Sequence, residues 1–258
     1  MQLFNEGLQP STLNSFRSAI TFFTRDSPPI SQDSSIQRLF KFFYKEKPLR
    51  PRYTTFWPVS KLLGFLSTMP PMENLPLKLL TIKSLALMAL SSSDRAQSLH
   101  LTNIKDMEIS PEEIKFIIRS RTKSTRKFLK PTFVTCSSSS DASVDVAKHV
   151  AFYIEATKEL RGEASQLFIS WKTYKPVVRS TMARWLKLAL DMAGIDTSIF
   201  KGHSYRGAGL SDAYAKGASL QAILGQGNWK NVTTFYNHYN APNCDSNIGR
   251  LILGGLDF

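Results

Sequence analysis

At 258 residues the chain can form two modest domains or one large one, and its hydrophobic fraction of 42% excludes global disorder. Its 33 Lys and Arg outnumber 20 Asp and Glu, a net charge of +13 that favours a polyanionic partner. Cys136 and Cys244 are two isolated thiols, neither a disulfide framework nor a zinc set, which points to a reducing, intracellular compartment.

The opening Met1-Gln-Leu-Phe-Asn-Glu6 lacks the basic and then apolar signature of a signal peptide. Pro10-Ser11 starts a predicted helix that carries Leu13, Phe16, Ile20 and Phe23 on one face. After a Pro/Ser-rich loop, a second amphipathic helix turns Ile36, Leu39, Phe40 and Phe43 inward. Lys45 to Arg52 is basic, contains Pro48 and Pro51, and is predicted to be extended. A further helix spans about Val59 to Ser67. The expected division is a helical domain over residues 1–70 and a second domain over 71–258, with the boundary near Thr68 to Asn74.

From Leu75 a long, mostly apolar helix runs to about Ser91. Lys78 and Lys83 interrupt it, so it reads as a buried helix and not as a membrane span. Asp94-Arg95 opens another helical segment that reaches Leu101. Ile114, Phe116 and Ile118 alternate in a strand over Glu113 to Ser120. Arg121 to Lys127 is a basic turn, and Phe128 to Cys136 is the returning strand, an edge strand because of Pro131. Helices follow at Val144 to Leu160 and Ser180 to Ala193, the second closed by Gly194. Ser204 to Lys216, Leu220 to Leu224 and Val232 to Tyr239 are also predicted helical. The fold class is mainly α with a small antiparallel sheet, and no internal repeat is present.

The segment from Gly202 to Pro242 carries the chemistry. His203 and Arg206 lie one helical turn apart and can reach a single phosphate. Trp229 follows, and then Tyr236 and Tyr239. A phosphodiester under attack needs fixed cations at its non-bridging oxygens, a nucleophile, and an acid for the leaving oxygen. A guanidinium matches phosphate geometry bidentately, which makes Arg206 one candidate clamp. Arg95, just after the buried helix, is the second candidate, with a salt bridge to Asp94 as its competing use. Lys123 sits in the basic turn, where a flexible amine can protonate a leaving oxygen; Arg126 and Lys127 are nearby substitutes. His203 can exchange protons near neutral pH, whereas His100 and His149 read as structural. Trp229 either packs the site or belongs to the core. A phenol with a pKa of about 10 becomes a nucleophile only beside cations or a base, which an arginine pair and a histidine supply. The sequence has neither a Gly-x-x-x-x-Gly-Lys-Ser/Thr phosphate loop nor a carboxylate cluster for two metals, so no metal, ATP or other cofactor is expected.

In their order and spacing, Arg95, Lys123, His203-x-x-Arg206, Trp229 and Tyr239 resemble the tyrosine recombinase (phage integrase) superfamily. Ser204-Tyr-Arg-Gly-Ala, Trp229 to Pro242, and Leu75-Pro-Leu-Lys-Leu-Leu-Thr leading to Asp94-Arg95-Ala are most similar to recombinases of DIRS-type retrotransposons. The resemblance covers nearly the whole chain, including the link Arg52-Tyr-Thr-Thr-Phe-Trp57. It implies that Arg95 and Arg206 clamp the scissile phosphate and Lys123 protonates the leaving 5′ oxygen. His203 would assist, Trp229 would stand where many members carry a second His, and Tyr239 would form a 3′-phosphotyrosyl link. Tyr236 stays as the reserve nucleophile, since the phage-type spacing is one residue shorter. Many members also carry a Glu three residues after the first Arg, where this chain has Ser98.

The same resemblance implies a helical core-binding domain and an α+β catalytic domain closing on double-stranded DNA. A homotetrameric synapse, a nuclear location in a eukaryotic host, and no membrane are expected with it. The apolar tail Ile248 to Leu256 docks either on its own domain or on a neighbouring protomer. Two further readings share most of these groups: a catalytically inactive DNA-binding protein derived from a mobile element, and a type IB topoisomerase.

Overall fold

The computed structural model describes residues 1–24, 29–48, 53–120, 132–229 and 231–238, which fall into two compact units, Met1–Arg52 and Tyr53–Phe258. The smaller unit holds α1 (Gln2–Asn5), α2 (Pro10–Thr24) and α3 (Ser34–Glu46). Asp33 caps α3 by accepting hydrogen bonds from the backbone N–H groups of Ser35 and Ile36. Its core is Phe4, Leu13 and Phe43, with the rings of Phe4 and Phe43 stacked at 4.3 Å and Leu39 and Phe40 half-buried beside them. The inward face predicted for α3 is observed. That of α2 is not: Leu13 is buried, but Phe16, Ile20 and Phe23 are exposed. The core is small, and of these four apolar side chains only Leu13, near the start of α2, is enclosed by it.

The larger unit begins at Tyr53 and includes α4 (Val59–Ser67). The expected boundary at residues 68–74 therefore lies too late as a division between compact units. The physical reason is the apolar face of α4, whose Val59, Leu62 and Leu66 are buried in the core of the larger unit. That core is organised around α5 (Leu77–Ser92), which is hydrophobic on all sides and buried almost throughout, as a helix enclosed by protein must be. It packs against α7 (Val146–Ala156), α8 (Arg179–Met192), α9 (Ser204–Ala215) and the sheet. Lys83 lies within it, only 1% exposed, and burial lowers the pKa of its amine. Among the described residues no helix is long and apolar enough to cross a membrane.

After α5 come the short α6 (Ala96–His100) and an antiparallel sheet in the order β1 (Met107–Ile109), β2 (Glu113–Ile118), β3 (Thr132–Ser137). β2 alternates as its sequence predicts, burying Ile114, Phe116 and Ile118. β1 was not predicted: three residues are too few to show a period, and it is held by pairing Met107 opposite Phe116. The returning strand runs from Thr132 at the sheet edge; the predicted turn Arg121 to Lys127 and the residues up to Pro131 lie outside the described residues. Gly194, at φ 68°, follows α8 as the left-handed closing residue expected of it. α10 (Leu220–Gly227) and α11 (Val232–His238) complete the unit, packing Ile223 and Phe235 against Leu210 of α9. His100 and His149 are structural: the first contacts the Val177 carbonyl at 3.0 Å, and buried His149 the Asp145 carbonyl at 2.7 Å.

Leu62 and Leu66 are each 0% exposed, so Leu62→Ala or Leu66→Ala should cost about 2–5 kcal/mol in urea unfolding of the larger unit. If α4 belonged to the smaller unit, the transition of the larger one would not move.

Candidate active site

The site is built where three segments meet: the end of α5, the start of α9 and the end of α10. α5 ends on Ser93, a non-glycine residue in the left-handed region at φ 49°. Such a conformation persists only where the surroundings hold it. Here the Ser93 hydroxyl donates to the Leu90 carbonyl at 3.1 Å. The Ser93 carbonyl in turn accepts from Arg206 Nη1 at 2.9 Å. Arg206 lies on the first turn of α9, only 5% exposed, and its Nη2 donates to the Gly227 carbonyl at the end of α10. Gln226 of α10 also donates from its side chain to the Ser92 carbonyl. One guanidinium thus ties together elements more than a hundred residues apart in sequence. α9 approaches this closely because position 209 is glycine: a Cβ there would stand 2.6 Å from the Ser93 hydroxyl and 2.9 Å from the Leu90 carbonyl oxygen.

Arg95 is the N-cap of α6, half-buried, two residues past Ser93. Asp94 sits between the two arginines electrically, feeling the charges of both Arg206 and Arg95 and bonding to Ser98 and the Arg95 backbone. Burial outweighs these attractions and pushes its carboxyl up from 3.8 to about 6. Both arginines act on the Asp94 carboxyl, Arg206 more strongly than Arg95. Trp229 lies half-buried with its ring 4.9 Å from the Arg206 guanidinium carbon, a cation–π distance. It also packs on Phe235 at 6.0 Å, so the residue is at once a wall of the site and part of a small apolar cluster. Asn228, in the left-handed region at φ 46°, ends α10 and turns the chain to bring Trp229 back over it.

His203 is the N-cap of α9, one turn before Arg206, and is exposed. Its Nε2 lies 2.7 Å from the Tyr53 hydroxyl, and the two rings stack at 5.4 Å. Segment 53–57 follows the start of α9 closely. Trp57 donates its indole N–H to the Ser204 hydroxyl at 2.8 Å and meets Tyr205 edge-on. Phe56 occupies the space beside Gly207, where an added Cβ would come within 2.1 Å of the ring.

Arg95 and Arg206 thus both act on Asp94, Trp229 lies over Arg206, and His203 stands one turn before Arg206. Lys123 and Tyr239 lie outside the described residues. Tyr236, the reserve nucleophile, is 44% exposed, and its hydroxyl is 3.4 Å from that of Tyr214. That hydrogen bond raises its pKa, the wrong direction for a nucleophile. Sequence reading missed Tyr53 as a site residue and saw Asp94 only as a partner for Arg95. A cluster of aromatic residues at 53, 56 and 57 in a segment that is not helical was the available signal for the first. Among the described residues no group of His, Cys, Asp and Glu could hold a metal ion.

No protein-family model matches the sequence, and no curated protein matches it. Solved structures match its fold. The chain is similar to XerA recombinase, with a TM-score of 0.55 at 16% identity over 98% of this chain and 84% of that one. It is also similar to the Tn1549 transposon integrase in complex with transposon right end DNA, with a TM-score of 0.57 at 14% identity over 98% and 82%. A third likeness is to the XerH site-specific recombinase bound to its difH substrate, at 0.52 and 14% identity over 70% of this chain and 48% of that one. The chain thus spans about half the length of XerH. Its fold is that of the tyrosine recombinases and integrases.

Two outcomes follow from this packing. The folded protein holds the Asp94 proton more tightly than the unfolded chain, so this group favours folding below pH 3.8 and that contribution is lost as pH rises through about 6. The melting temperature of Asp94→Asn should shift upward relative to wild type as pH rises from 4 to above 6; a difference constant across pH would contradict this. Gly207→Ala should cost about 1–3 kcal/mol in chemical unfolding, because the Phe56 ring must move.

Proposed function

We propose that this chain cleaves and rejoins duplex DNA strands through a covalent tyrosine intermediate. The observation that carries the reading is that Arg206 is held by the Ser93 and Gly227 carbonyls, with Trp229 over it, His203 one turn before it and Arg95 two residues past Ser93, in a fold of the recombinase type. A fixed pair of guanidiniums suits the non-bridging oxygens of one phosphodiester, whose charge grows during attack.

In this reading the Tyr239 hydroxyl attacks the phosphorus, the 3′-phosphotyrosyl bond forms and the bond to the 5′ oxygen breaks. Lys123 gives a proton to that departing oxygen, and His203 assists by taking the proton that the phenol loses. The phosphate ester is exchanged for another ester, so a 5′-hydroxyl from a second strand reverses the step without ATP. Tyr239 directly follows α11, while the Tyr214 hydrogen bond disfavours Tyr236 as the attacking group.

The proposal extends to the biological setting. XerH and the Tn1549 integrase are each described bound to DNA, the latter to transposon DNA. Together with the net charge of +13 this supports a duplex DNA partner. We assign the chain to site-specific recombination or integration of a mobile element, most like the DIRS type. It would act as a homotetramer on DNA in the nucleus of a eukaryotic host, with the smaller helical unit serving as the DNA-clamp domain and the larger unit as the catalytic domain.

Incubation with a nicked duplex that traps the cleaved state should give a covalent protein–DNA adduct, resistant to denaturation and absent from Tyr239→Phe. Arg206→Ala should lower adduct formation by at least about 100-fold. An adduct lost only in Tyr236→Phe would move the nucleophile. DNA binding with no adduct on any substrate would mark a non-catalytic DNA-binding protein, and site-independent plasmid relaxation a topoisomerase.

A further inference from the structure

We propose that Tyr53 is the positioning residue for His203, fixing both the plane and the tautomer of its imidazole. This inference rests on the proposed role of His203 in strand cleavage. The Tyr53 hydroxyl lies 2.7 Å from His203 Nε2, and the two rings are stacked at 5.4 Å with 29° between their planes. A stack plus a hydrogen bond from one side chain restrict both rotations of an exposed imidazole at a helix N-cap. Tyr53 is itself held, with its ring 5.6 Å from Phe56 and 5.5 Å from Phe200. Phe56 lies against Gly207, and the neighbouring Trp57 is bonded to Ser204. The strap 53–57 is therefore locked to the first turn of α9 at three points. It moves with the helix that carries His203 and Arg206.

The chemistry of the two groups sets the tautomer. A phenol O–H is the natural donor of the pair, so neutral His203 accepts at Nε2 and keeps its proton on Nδ1. When the imidazole gains a proton at Nε2, the same phenol oxygen accepts from it. Tyr53 is thus a partner that His203 keeps in both protonation states, which suits a group that exchanges a proton during phosphoryl transfer.

The test is nitrogen NMR of the ¹⁵N-histidine-labelled full chain, at a pH where the His203 ring is neutral, alongside cleavage of the nicked duplex. Wild type should show the form protonated on Nδ1. Tyr53→Phe, which keeps the stack and loses the hydroxyl, should shift the ring towards the form protonated on Nε2. Its cleavage rate should fall on the order of 10-fold and the pH dependence of cleavage should change, with DNA affinity unaltered. Tyr53→Ala, which also removes the stack, should lose more. Wild-type His203 protonated on Nε2, or a tautomer unchanged in Tyr53→Phe, would overturn the inference. So would a changed tautomer with cleavage at the wild-type rate. If wild type forms no adduct, the proposed function falls and takes the catalytic part of this inference with it. The NMR result still decides the link between Tyr53 and His203.

Discussion

The larger unit depends on what is done with one buried positive charge. Arg206 is nearly enclosed, and a guanidinium in that position must be hydrogen-bonded and balanced. The fold meets this need with two backbone carbonyls, from Ser93 and Gly227, and with the carboxylate of Asp94 nearby. The partners come from two parts of the chain, Ser93 and Asp94 at the end of α5 and Gly227 at the end of α10. Satisfying Arg206 therefore fixes how the end of α5 and the end of α10 stand against α9. The left-handed Ser93 and the glycine at 209 are consequences of that requirement, since without them the carbonyl would not face the helix and the helix could not come close.

In the proposed function, the same anchoring serves the phosphate. Arg95 follows directly from the segment that Arg206 holds, so the two guanidiniums share a neighbourhood set by the backbone. Asp94 between them keeps two like charges from being left alone at close range. Burial raises the pKa of that carboxyl, and a partly buried cation acts more strongly on a phosphate than a fully exposed one would. Trp229 contributes from the other side by covering Arg206 with an aromatic face.

Sequence periodicity was sufficient where a helix or strand has one clear face or none. The helices at 59–67, 77–92 and 179–192 lie close to where apolar spacing puts them, and so does the strand at 113–118. It failed where packing decides. α2 has an apolar stripe that its small unit does not cover, and β1 exists only through pairing with β2. Residues 68–74 were expected to separate two domains, yet they lie within the larger unit, because α4 before them packs into its core. In the site, Arg206, His203 and Trp229 were legible because their chemical types recur at suggestive spacing. Tyr53 was not, since its contact with His203 spans 150 residues. Asp94 could be seen beside Arg95, but its exposure to Arg206 could not.

The central claim is that Arg95 and Arg206 act as one clamp on a scissile phosphate. A crystal structure of the Tyr239→Phe protein on an uncleaved duplex tests it most directly. The account predicts one phosphate with its non-bridging oxygens within hydrogen-bonding distance of both guanidiniums, and residue 239 facing the phosphorus. A duplex bound with its phosphates away from Arg206, or touching only one of the two arginines, would contradict it.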